Sequence, residues 1–150
     1  MDLYAIGMQL VKLVIAIVLA IAAQFLAIKV FDKMTKNIDE MAEIRKGNVA
    51  IGIILAAVLL SVANIIAGGV GRLLASGWDV NALLKGCIGL VVAIVIAVLM
   101  QFIALSMYGR LTDDIDEEKE LKKGNLAVAI TLAAVIFGTS LIVSSGLPNF

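Results

Sequence analysis

The chain has 150 residues, 62% of them apolar and 16% charged, with 12 basic and 12 acidic residues that cancel to a formal net charge of zero. Soluble domains average about 45–50% apolar and about 25% charged, so the apolar excess, reflected in a mean hydropathy of +1.08, belongs against lipid. With no histidine, the single cysteine Cys87 and no basic patch free of acids, the chain offers no zinc set, Ser-His or Cys-His pair, disulfide framework or haem attachment, and no footprint for nucleic acid. No cofactor, metal or catalytic residue is expected, and the chain is not read as an enzyme.

A hydrocarbon core about 30 Å thick takes about 20 apolar residues of helix, and four runs of that length occur, at about 10–31, 49–70, 86–108 and 126–147. Each must satisfy its own backbone polar groups, and each is about twice the length of a barrel strand, so all four are predicted to be transmembrane helices. In the first, Ala20-Ile21-Ala22 has the look of a signal cleavage site, but no basic segment precedes it and the run is longer than a signal core. Ala16 and Ala20 form a small-residue stripe ahead of Gln24. Lys12 is expected to snorkel to the outer boundary, as is Lys85 on the third span.

The first connection reads as a short amphipathic helix, with Asn37-x-x-Glu40 as its capping pair and Ile38, Met41 and Ile44 on one side. Gly47 can take the left-handed conformation that ends it, and Asn48 can cap the second span, so this pair reads as a turn and a cap rather than a ligand site. The second span carries Gly52-x-x-x-Ala56, Ala63-x-x-x-Ala67-x-x-x-Gly71 and the amide Asn64. In the third, Gly89, Ala93 and Ala97 lead to Gln101. The third connection repeats the first, with Asp114-x-x-Glu117, Gly124 and Asn125, and its acidic run 113–118 lacks the alternating ligands and glycine of a calcium loop. The fourth span offers Ala129-x-x-x-Ala133 and Ser140-x-x-x-Ser144.

Laying Gly47 on Gly124 aligns the two halves at a shift of 77 residues without a gap, and about two in five positions from Val11 to Gly69 are identical to their counterparts. The prediction is a single membrane domain, all-α, made of two parallel two-helix repeats covering about 1–75 and 82–150, because each repeat has an even number of spans. The first and third connections with their helix ends carry Lys29, Lys33, Lys36, Arg45, Lys46, Arg110, Lys119, Lys122 and Lys123, against Lys12, Arg72 and Lys85 on the other face. Both long loops are therefore expected in the cytoplasm and both termini outside, with Tyr4 and Trp78 at the outer interface and Phe31 and Tyr108 at the inner one.

The motif Gly-Asn-x-Ala opening the second span of each hairpin (Gly47-Asn48-Val49-Ala50 and Gly124-Asn125-Leu126-Ala127) resembles the domain of unknown function 350 family, the YjfL-like prokaryotic inner-membrane proteins. The resemblance covers nearly the whole chain and implies a small four-helix protein of the inner membrane, in a family without an assigned activity whose members sometimes lie near envelope-stress or membrane-remodelling genes. It brings no catalytic or binding residues. Small-residue stripes on all four spans exceed what one compact bundle needs, so the leading expectation is a structural protein that forms homo-oligomers in the lipid bilayer, with a cytoplasmic peripheral protein possible at the charged loops. The alternative is a channel or carrier for a small solute or ion, with a polar path past Gln24, Gln101 and Asn64.

Overall fold

The computed structural model describes residues 3–35, 38–77, 79–111 and 116–146. Asn37, Asp114, residues 113–115 of the acidic run and Trp78 lie outside the described residues, as does the side chain of Tyr108. The described residues fold as six helices: α1 (Leu3–Met34), α2 (Glu40–Arg45), α3 (Val49–Ala75), α4 (Val80–Leu111), α5 (Glu117–Lys122) and α6 (Leu126–Gly146). The four long ones are long and apolar enough to cross a membrane.

The α1 and α4 helices, each of 32 residues, overrun the predicted spans at both ends. At 1.5 Å per residue each is about 48 Å long, well beyond the hydrocarbon thickness. Hydropathy marks only the lipid-matched middle, whereas the backbone hydrogen-bond ladder continues through flanking residues that have no reason to break it.

The α3 helix is the hub. It packs on α1, α4 and α6, α4 also touches α1 and α6, and among the described residues α1 and α6 share no extensive contact. Around the perimeter the order is α1, α3, α6, α4, with the α3–α4 pair as the short diagonal. Residues Ile51, Ile54, Val58, Val62, Ile65 and Leu73 of α3 are fully enclosed, while α1 turns Ala16, Ala23 and Ala27 inward and α4 turns Leu90, Ala93 and Ala97 inward. Small side chains on the flanking helices let both backbones approach the bulkier α3, and close packing replaces the hydrophobic drive that lipid does not supply.

The chemistry of the connections differs from the sequence expectation in three ways. The α2 and α5 helices are capped by Asp39 and Asp116, whose carboxylates accept from Ala42 N at 2.9 Å and Lys119 N at 3.1 Å, two residues beyond the expected positions. Glu40 and Glu117 thus fall at the first helical residue, where a carboxylate faces the positive end of the helix. Of the predicted apolar face only Ile38 is buried, and Met41 and Ile44 are exposed. Phe31, expected at the interface, is buried inside the bundle, because α1 extends past it.

Candidate functional site

Polar groups meet α3 at four different depths. At the end holding the short helices, Gly47 (φ 83°) and Gly124 (φ 79°) take the left-handed conformation that reverses the chain after α2 and α5. Asn48 Oδ1 then accepts from Ile51 N at 3.3 Å, and Asn125 Oδ1 from Ala127 N at 3.1 Å and Val128 N at 3.4 Å. The two amides differ in what they donate to. Asn125 Nδ2 reaches Glu120 Oε2 at 2.8 Å, whereas Asn48 Nδ2 reaches Glu43 Oε2 at 3.2 Å and also the carbonyls of Leu121 at 2.9 Å and Lys122 at 3.3 Å. Asn48 therefore ties the first hairpin to the last turn of α5.

The carboxylates of this layer are tuned by these bonds. The ammonium of Lys46 and then the Asn48 amide hold Glu43 below its ordinary value, and Asn125 and then Lys123 do the same for Glu120. Glu40 behaves in the opposite way: burial raises its carboxyl, the hydroxyl of Thr35 that donates to it opposes the shift, and neighbouring Asp32 adds to it. The matched pairs Thr35/Thr112 and Glu40/Glu117 in the two halves are the sequence signal for this contact.

At mid-depth both glutamines turn onto α3. Gln101 Nε2 donates to Val58 O at 2.6 Å and Gln24 Nε2 to Leu59 O at 3.2 Å, on consecutive carbonyls, with Ser61 Oγ on Ala57 O at 2.7 Å beside them. Gln101 is buried, and Gln24 keeps a buried Oε1 with no partner among the described residues. Nearer the far end Asn64 Nδ2 donates to Ser140 O at 3.1 Å, Ser140 Oγ at 3.3 Å and Ser144 Oγ at 3.1 Å, fixing the register of α6 on α3. The three intramembrane amides thus act on two sides of α3: Gln24 and Gln101 on one, Asn64 towards α6.

Lys12 does not snorkel. Its side chain is 0% exposed and its ammonium donates to Ser76 O at 2.6 Å and Gly77 O at 3.0 Å, capping the carbonyl end of α3. A cation is stabilised there by the helix dipole and by carbonyls that lack helical partners. Lys85 is exposed and, with Arg72, borders an open cleft of about 400 Å³ beside this cap.

The predicted packing stripes separate into two groups. Ala16, Gly89, Ala93 and Ala97 are buried and Ala20 is half-buried, so the stripes of α1 and α4 lie inside the bundle. On α3, Gly52 and Ala63 are half-buried and Ala56 and Ala67 are exposed: this face points away from the other long helices, because α3 spends its bulky faces on its three neighbours. The counterparts on α6, Ala129 and Ser140, are buried.

Four long apolar helices, three of them packed around the fourth and joined by capped polar turns, define a multi-pass helical membrane protein. A family model described as Domain of Unknown Function (DUF350) matches residues 5–103 and 80–149. The chain belongs to that family. No curated protein and no solved structure matches it.

Proposed function

We propose that the protein is a membrane-embedded scaffold, built from two hairpins related by a 77-residue internal duplication, that self-associates in the bilayer through small-residue helix faces. The observation that carries this reading is the outward face of α3, where Gly52, Ala56, Ala63 and Ala67 remain half-buried or exposed on the most enclosed helix of the bundle. In lipid a row of small side chains gives no hydrophobic gain by itself, and its use is the close approach of another helix. The excess of Lys and Arg on the first and third connections supports an inner-membrane orientation with these loops in the cytoplasm, where their charged surfaces are free to dock a peripheral protein. Among the described residues no nucleophile, base and oxyanion set is assembled beside the amides, and the reading proposed is non-enzymatic.

Native mass measurement in lipid nanodiscs tests the scaffold reading. Assemblies of several copies are expected, and a monomer at all protein-to-lipid ratios overturns it. The competing reading, a channel or carrier past Gln24, Gln101 and Asn64, predicts solute flux into liposomes that falls in Gln24→Leu and Gln101→Leu. The scaffold reading expects no flux above that of empty liposomes.

A further inference from the structure

We infer that copies of the chain join head to tail, the outer face of α6 in one copy entering the groove that α2 and α3 leave open in the next. This rests on the self-association reading above and adds to it which faces meet and that the contact is open-ended.

The order of helices gives the first reason. Every helix of the second hairpin begins 77 residues after its counterpart: Leu3 and Val80, Glu40 and Glu117, Val49 and Leu126. Within the bundle α1 packs beside α4 and α3 beside α6, so like helices are neighbours, and α3 meets α4 while α6 shows no such extensive contact with α1 among the described residues. Two hairpins facing each other across a two-fold axis would make α3–α4 and α6–α1 contacts alike. Here the hairpins are stacked side by side, a heterologous contact whose two different surfaces are each displayed again at the ends of the stack.

Both surfaces are indeed open. Ile54, Val58 and Ile65 of α3 are enclosed, and their counterparts Thr131, Val135 and Ile142 on α6 are exposed, Ile142 by 74%. Conversely, Leu121 and Ala129 of the second hairpin are 3% and 0% exposed, while their counterparts Ile44 and Gly52, with Gly47 and Ala56, line an open groove of about 370 Å³. The groove reproduces the surface that the second hairpin presents to the first.

Polar groups follow the same logic. Within the chain, Asn48 donates to the carbonyls of Leu121 and Lys122. The corresponding bond between chains runs from Asn125 to the carbonyls of Ile44 and Arg45. Within the chain, Asn64 is matched to Ser140 and Ser144. Between chains the same three positions are Leu141, Ala63 and Ala67, so donor and acceptors are replaced together by apolar residues. Changing one side alone would bury an amide or hydroxyls without partners, and the joint change leaves none.

The test places cysteines at Ala63 and Leu141 in a Cys87→Ala background, reconstituted in liposomes and oxidised with copper phenanthroline. The double variant is expected to give a ladder of dimers, trimers and higher multiples, and each single variant to remain monomeric on the gel. Strong dimer from Ala63→Cys alone means an isologous contact and overturns the inference while sparing the scaffold reading. Native oligomers without any ladder do the same, and a monomeric native mass overturns both. As an independent arm, Ala67→Trp, on an exposed position, is expected to keep the helical content of the wild type yet shorten assemblies when mixed with it, since it still offers its α6 face. Undiminished assembly in that mixture overturns the inference.

Discussion

Helices α3 and α6 hold the same place in their hairpins and share runs such as Leu55-Ala56-Ala57-Val58 and Leu132-Ala133-Ala134-Val135, yet α3 is enclosed by three long helices and α6 by two. The same residue types are buried in one and exposed in the other: Val58 is fully enclosed and Val135 is not. Position in the bundle therefore decides burial, and equivalent substitutions should have unequal costs in the two helices.

The largest difference is expected where α3 meets α4. A Cβ on Gly69 would stand 3.1 Å from Leu90 Cδ1 and 3.2 Å from Ala93 Cβ, whereas one on its counterpart Gly146 meets nothing within 4 Å among the described residues. Gly69→Leu should destabilise the bundle by about 3 kcal/mol and Gly146→Leu by less than about 0.5 kcal/mol, measured as unfolding in mixed micelles at monomeric dilution. Equal costs would mean that the two positions are packed alike. Next in size is Lys12→Met, which removes a charged donor from two carbonyls and should cost about 2 kcal/mol in the same assay.

The glutamines sharpen the comparison at smaller scale. Gln101→Leu removes a buried bond to Val58 O and should cost about 1 kcal/mol. Gln24→Leu removes a longer bond together with a buried oxygen that has no partner among the described residues, and should be close to neutral. The reverse ranking would indicate that the Gln24 carbonyl is satisfied by water in the bilayer.

The smallest effects concern pH and are read by hydrogen exchange at the turn amides. Glu43 and Glu120 titrate below their ordinary value when folded, so their contribution is present above the unfolded carboxylate value and lost as pH falls through the folded one. Both turns should open on acidification, and Glu43→Gln should remove the response in the first hairpin alone. Glu40 has the opposite sign: its folded value is raised, so the fold gains from it at low pH and loses that gain as pH rises from the ordinary value through the folded one. Glu40→Gln should leave α2 more protected at neutral pH, with little change at low pH.

Much of the architecture is legible in the sequence because the bilayer imposes a length on every helix and forbids unpaired backbone. The left-handed glycines are legible too, since few other residues tolerate that conformation. What α3 contacts is not, because lipid and protein interior are equally apolar and hydropathy periodicity cannot separate Val58 from Val135. A small-residue stripe states that a backbone can come close without stating which one: Ala93 meets α3 inside the bundle, and Ala56 faces outward. The carbonyl partners of Lys12 are not legible either, because snorkelling is a local argument and these acceptors lie 64 and 65 residues away in the chain.

That separation bears on how the protein enters the membrane. When α1 leaves the ribosome, the Ser76 and Gly77 carbonyls that accept from its Lys12 ammonium have not yet been synthesised, and a charged side chain in an apolar segment is costly to leave in lipid. α1 is therefore completed by the end of α3, which makes the first hairpin the natural unit of insertion. The fourth helix has Gly89 at that position and carries no such debt, so the second hairpin can be laid one helix at a time against a partner already in place.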